Sequence, residues 1–264
     1  MKVHKSLVLA LLLACGSSMV MAAKGPAIRI GIDTAYPPFA SKNAAGKLQG
    51  LDIDILNAVC KKLDAQCSWV ETPFDKLISG LLTARFDLIG SSLNITEERA
   101  KSITFTDPMY SVPVQLVAAR GSNLQPTPAA LKAKRVGVLK DSVSDAWAKA
   151  HLEPYGVTLV QYPTQDKVYL DLISGKIDAS LQDSQAAYTG FLKTAFGNGY
   201  SFAGGPLQDN ALFGTGMGLG LRKSDTALHQ QINDALKALK ADGTLDRIAH
   251  QYTQITVIKT ATAR

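Results

Sequence analysis

The residues of this chain best suited to grip a charged small molecule lie in Ser91-Ser92-Leu93-Asn94-Ile95-Thr96-Glu97-Glu98-Arg99, just after the apolar run Phe86-Asp87-Leu88-Ile89-Gly90. The apolar run predicts a short buried strand. Thr96, with Glu98 close behind it, predicts a helix start capped by the threonine. Unpaired N–H groups at the strand tip, serine hydroxyls and one guanidinium then meet in one place. A planar guanidinium grips a carboxylate through two parallel hydrogen bonds, so the pattern reads as an anion site. The alternative is a capped surface helix whose Arg99 pairs with a glutamate.

Hydrophobic periodicity supplies the elements that must hold this segment. Strand-like runs over 28–33, 67–70 and 87–90 alternate with helical runs over 52–63 and 74–84. A second set follows, with strands over 135–139, 157–162 and 177–181 and helices over 142–151, 165–174 and 184–193. Such alternation predicts an α/β fold with parallel strand pairs. A strand over 114–119 stands between the sets, and the chain returns through Phe202-Ala203-Gly204-Gly205-Pro206 to a late strand over 217–222 and two terminal helices. The expected organisation is two lobes joined by two crossing strands, the first lobe built from 23–111 and 208–264 and the second from 112–207 with the hinge segments. Ligands in such open sheets sit at the carboxyl ends of strands, here facing each other across a cleft.

Lys2, His4 and Lys5 precede the apolar run 7–14, and Val20-Met21-Ala22 offers a small-residue cleavage site, the pattern of a secretory signal over 1–22. Leu12-Leu13-Ala14-Cys15 also fits a lipoprotein site, which would leave a lipid anchor on Cys15. Cleavage after Ala22 removes Lys2 and Lys5 from 28 basic residues, so 26 face 22 acidic ones and the net charge falls from +6 to +4. No basic run interleaved with aromatics is present, which argues against nucleic acid as a partner. Export places Cys60 and Cys67 in an oxidising compartment, where they are predicted to form a disulfide between helix and strand worth about 2–3 kcal/mol. A metal pair or two buried thiols are the alternatives, and neither has His or Cys neighbours to support it. His151, His229 and His250 fall at isolated helical positions, so no metal or cofactor is expected. The glycines of Gly214-Thr215-Gly216-Met217-Gly218-Leu219-Gly220 run into a strand, which is the wrong context for a dinucleotide fingerprint, and there is no Walker motif.

Several segments, in order, resemble the periplasmic amino-acid-binding proteins of ATP-binding-cassette (ABC) importers, solute-binding protein family 3. Ile30-Gly31-Ile32-Asp33-Thr34-Ala35-Tyr36-Pro37-Pro38-Phe39 is similar to the family's opening strand and turn, and Gly50-Leu51-Asp52-Ile53-Asp54-Ile55-Leu56-Asn57-Ala58-Val59-Cys60-Lys61-Lys62-Leu63 to its signature. With Leu181-Gln182-Asp183 and Gly218-Leu219-Gly220-Leu221-Arg222-Lys223, the likeness is nearest to the lysine/arginine/ornithine- and histidine-binding branches. The resemblance implies a two-lobed, type II periplasmic-binding-protein fold with two crossover hinge strands. It also implies a monomer that captures a basic L-amino acid (lysine, arginine, ornithine or histidine) in the periplasm and delivers it to an inner-membrane permease.

The resemblance gives residues roles as well. Arg99 and the N–H groups near Val143 would hold the α-carboxylate. Asp183 would hold the α-ammonium, with Ser92 and Asn94 beside it. Asp33, Tyr36, Phe74 and Ser91 would receive the side chain. Each has a plainer alternative: Asp183 as a helix N-cap, Asp33 as a cap on the Tyr36-Pro37-Pro38 turn, and the two aromatics as core residues. Asn94, Val143 and Ser144 stand where these relatives usually carry Ser, Thr and Gln, which keeps a larger derivative such as an opine open. An enzyme on the same scaffold, similar to a cyclohexadienyl dehydratase, is the competing class, and a sensory binding protein is a third.

Overall fold

Ile28, Ile30 and Ile32 are buried and β-branched, and they set the strand Ala27–Ile32 inside the first sheet, between two parallel neighbours. The computed structural model describes residues 25–252 and 256–258, so the expected signal segment 1–22 and Cys15 lie outside the described residues. The first sheet has the order Gln66–Glu71, Ala27–Ile32, Leu88–Ile89, Gly220–Leu221, Thr104–Phe105. Its first three strands run parallel. Gly220–Leu221 is antiparallel to both neighbours because it arrives from the other lobe and not through a crossover helix.

Helix Leu51–Lys62 covers one face of this sheet with Leu51, Ile55, Leu56 and Val59, packing also against Ile232, Leu236 and Leu239 of helix Thr226–Ala241. Asp52 and Asp54 in its first turn and Lys61 and Lys62 in its last complement the helix dipole. Gly50 precedes it at φ 130°, where a Cβ would sit 2.3 Å from the Phe39 carbonyl oxygen. That close approach starts the helix where Asp52 reaches into the lobe. Leu77, Leu81, Phe86 and Ile89 fill the opposite face.

The second sheet has the order Thr158–Tyr162, Arg135–Leu139, Ala179–Asp183, Val114–Ala119, Tyr200–Ala203. The first three are parallel, and Val114–Ala119 is antiparallel to both its neighbours. Helix Val143–His151 packs on one face through Val143, Trp147 and Ala148, and helix Gln165–Ile173 on the other through Val168, Tyr169 and Leu172. The chain crosses between the sheets twice, and the crossings touch at an antiparallel bridge between Tyr110 and Met217.

Some expected elements change length. The strand expected over 217–222 contracts to Gly220–Leu221, since Met217 is taken up in single bridges to Asn94 and Tyr110. The helix expected over 184–193 is α-helical only over Ser184–Ala187 and widens to a π-helix over Tyr188–Leu192, where Gly190 lies against Pro37 of the other lobe. The helix expected over 74–84 starts as a 3-10 turn, Phe74–Lys76, after the extended Pro73 and continues as Leu77–Leu82. The strand expected over 177–181 lies instead at Ala179–Asp183, which carries Asp183 to its carboxyl end.

Cys60 and Cys67 are joined by a disulfide, with 6.2 Å between their Cα atoms, tying helix Leu51–Lys62 to strand Gln66–Glu71. For so short a loop, removing it as Cys60→Ser/Cys67→Ser should lower stability by about 2–3 kcal/mol. Urea titration followed by circular dichroism measures this, and denatured unreduced protein should carry no alkylatable thiol at either position.

Candidate functional site

The cleft between the sheets is lined from one side by Tyr36, Phe74, Ser92 and Asn94 and from the other by Leu139, Ser142, Val143, Ser144, Gln165, Gln182 and Asp183. Arg99 enters from helix Glu97–Ala100, whose N-cap Thr96 accepts the Arg99 N–H at 3.3 Å as the sequence pattern predicts. Its guanidinium lies over the Phe74 ring at 5.6 Å. It donates to the Asn94 carbonyl at 3.0 Å on its own lobe and to the Asp141 carbonyl at 2.9 Å on the facing lobe. Burial lowers its pKa to about 10, which Asp183 and Asp141 partly oppose, so it stays cationic at neutral pH. A guanidinium has five N–H donors, and two bonds leave donors for an incoming carboxylate. Among the described residues no glutamate pairs with it, so the surface-helix alternative does not describe its surroundings.

Across from Arg99, helix Val143–His151 begins after Ser142, whose hydroxyl accepts the Asp145 N–H at 3.1 Å. The first N–H groups of a helix have no intrahelical acceptor, so those of Val143 and Ser144 add donors beside the guanidinium.

The opposite charge is Asp183. It occupies the N-cap position of helix Ser184–Ala187, yet its side chain makes no capping bond. Its carboxylate instead accepts the Tyr36 hydroxyl from the other lobe at 2.8 Å. Burial pushes the Asp183 carboxyl up to about 6, against the pull of Tyr36 and Arg99. Tyr36 stacks on Phe39, which stacks on Tyr110, so it has core neighbours on one side and the cleft on the other.

Asp33 stands at the end of the first strand with both oxygens engaged, one accepting the Ala35 N–H at 2.9 Å and the other the Phe74 N–H at 3.2 Å. It therefore does cap the turn and also seats Phe74. Burial raises its pKa, and the nearby charges of Asp166 and Asp75 add to that rise. Ser91 supports it from behind, its hydroxyl accepting the Asp33 N–H at 3.0 Å. The Asn94 side chain donates to the Phe213 carbonyl at 3.2 Å.

Asp52, which sequence reasoning did not place in the site, lies directly beneath it. Its carboxylate accepts the Ser92 N–H at 2.7 Å, the Ser92 hydroxyl at 2.9 Å and the Tyr110 hydroxyl. These bonds hold Ser92 at φ 46°, a left-handed conformation unusual for a residue with a Cβ. Burial raises the Asp52 pKa to about 6, while Tyr110 and Ser92 oppose the rise. Gln165, Gln182 and Asp166 were missed as well. Asp52 stood in the quoted signature and Gln182 beside Asp183, but no local pattern links Gln165 or Asp166 to a cleft.

The chain is similar to known proteins over most of its length. Residues 28–255 match the model of the bacterial extracellular solute-binding proteins, family 3. The histidine-binding periplasmic protein of Salmonella typhimurium is 46% identical over 248 residues, covering 94% of this chain and 95% of that protein. The lysine/arginine/ornithine-binding periplasmic protein of Escherichia coli is 45% identical over 251 residues, covering 94% and 96%. An ancestral arginine-binding protein bound to arginine superposes with a TM-score of 0.80 at 30% identity, covering 86% of this chain and 98% of that one. These relatives are two-lobed binding proteins and not enzymes, and by sequence, fold and cleft this chain belongs to the bacterial extracellular solute-binding proteins of family 3.

Proposed function

We propose that this chain captures a basic L-amino acid in the periplasm, after removal of a signal peptide, and presents it as a monomer to an ABC permease. The observation that carries this reading is a cleft with one cationic and one anionic pole on facing lobes. Arg99, with the Val143 and Ser144 N–H groups, suits an α-carboxylate. Asp183, held by Tyr36, suits an α-ammonium. Between them Tyr36 and Phe74 offer apolar faces for an aliphatic or planar stem. Asp33 favours a cation at the far end, because a positive group there offsets the burial, and the lesser repulsion from Asp166 and Asp75, that raise its pKa. Histidine, lysine and arginine appear in the names of the relatives, which supports the same class. Ligand joins groups from both lobes, so it stabilises the arrangement in which they face each other.

Removal of the shared anchor gives the broadest test. Arg99→Ala should weaken every amino-acid ligand by about 2–5 kcal/mol, since all present the α-carboxylate. Calorimetry on folded variant protein measures it, and near-native affinity would place the carboxylate elsewhere.

Side-chain charge is tested at Asp33. Asp33→Asn also disturbs the bonds to Ala35 and Phe74, so the informative quantity is the difference between ligands. Lysine and arginine should lose about 2–5 kcal/mol more than glutamine and citrulline. Equal losses would leave Asp33 as a turn cap alone.

Affinity should also depend on pH. The α-ammonium needs Asp183 ionised, and the carboxyl is raised to about 6 in the free protein. Binding then favours the deprotonated form, so the dissociation constant should be flat above about pH 7 and rise as pH falls through 6 toward 5. Titrations at pH 5.5 in buffers of different ionisation enthalpy should show proton release on binding.

A further inference from the structure

Beneath the cleft the second lobe buries two amide side chains against each other. Gln165 opens helix Gln165–Ile173 and is 1% exposed; Gln182 precedes Asp183 in its strand and is 2% exposed. Gln165 Nε2 donates to Gln182 Oε1. That bond uses one donor and one acceptor, and it leaves Gln165 Oε1 and Gln182 Nε2 without a hydrogen-bond partner among the described residues. Both residues line the ligand cleft. A buried amide atom left unpaired costs about 1–3 kcal/mol, so a paired orphan acceptor and donor in a cleft wall point to a ligand that supplies both complements.

The pair lines the same cleft as Tyr36 and Phe74, the residues proposed to receive the ligand side chain. Asp166, the residue after Gln165, lies near enough to Asp33 for its charge to raise the Asp33 pKa. Gln165 also adjoins the Tyr169 hydroxyl, which donates to the Ala186 carbonyl at 3.2 Å.

We propose that Gln165 and Gln182 form a specificity-determining pair that reads a ligand side chain carrying one hydrogen-bond donor and one acceptor. This deepens the amino-acid-binding reading above and rests on it. Neutral imidazole, a ureido group and a carboxamide each meet the requirement. Ammonium and guanidinium groups carry donors only, so they satisfy Gln165 Oε1 and leave Gln182 Nε2 facing another donor. Asp33 therefore selects for charge while the amide pair selects against groups that only donate, and the two act in opposite directions on arginine.

Citrulline and arginine are nearly isosteric and differ in having a carbonyl oxygen or a charged amino group at one position, so their affinity ratio isolates this effect. Full-length exported protein, freed of bound ligand by denaturation and refolding, is titrated calorimetrically with each. In Gln165→Met/Gln182→Met, citrulline binding should fall and the ratio should shift toward arginine by about tenfold. In Gln182→Glu, which keeps the acceptor for Gln165 Nε2 and replaces the orphan donor, citrulline binding should fall as well, a loss that added negative charge alone would not produce. A citrulline-to-arginine ratio unchanged within about twofold in either folded variant overturns the proposal. If the double variant does not fold, the Gln182→Glu result decides. Wild-type protein that binds neither ligand would remove the amino-acid reading along with the pair, whereas wild-type binding with an unchanged variant ratio removes the pair alone.

Discussion

A guanidinium taken out of water must find acceptors, and Arg99 finds two backbone carbonyls, one on each lobe, Asn94 and Asp141. Losing either would leave part of this half-buried cation unpaired, so the approach of the lobes and the conformation of the strand-to-helix turn at 91–96 are constrained together. The Tyr36 hydroxyl on Asp183 repeats the arrangement with the opposite sign. Lys140 adds a longer contact across the gap, 3.4 Å to Asp75, with half-exposed geometry that makes it the weaker link.

The floor of the site depends on Asp52. Its carboxylate collects the Ser92 N–H and hydroxyl from the ligand segment and the Tyr110 hydroxyl from the outgoing crossing. Tyr110 in turn bridges Met217 on the returning crossing, and Met217 bridges Asn94. A hydrogen-bonded path therefore runs from the cleft wall to both connections between the lobes. Asp52 and Asp183 are close enough that the charge on one raises the pKa of the other, so the floor also contributes to the field an α-ammonium would feel.

The second lobe supplies complementary groups by a different route. Three strands end near one another at the cleft, and residues at or just past those ends, Ser142 and Val143, Gln165 and Asp183, come from three separate strand-to-helix connections. The sheet's parallel core makes this possible, since parallel strands bring their carboxyl ends and following helix starts to one edge. The apolar clusters on both faces hold those ends in register, each buried Leu, Ile or Val contributing about 1.5–3 kcal/mol.

The sequence by itself determined the alternation of strands and helices and the helix starts at Thr96 and Ser142, and it put Arg99 behind such a start, because each is written in local spacing; Asp33 and Asp183 were singled out only by the resemblance to the family. Periodicity, capping and strand-end position are properties of a few neighbouring residues. The lengths of the late strand and of the helix after Asp183 were misjudged, since the crossing at Met217 and the contact of Gly190 with Pro37 depend on residues far away in the chain. Tertiary structure alone decided that Asp183 reaches Tyr36 and not its own helix, that Asp33 serves the turn and Phe74 together, that Gln165 and Gln182 line the cleft, and that Asp52 holds Ser92 from beneath it. Their roles arise from burial and from partners tens to more than a hundred residues distant, and burial of a polar group is a property of the packed chain that no local pattern records.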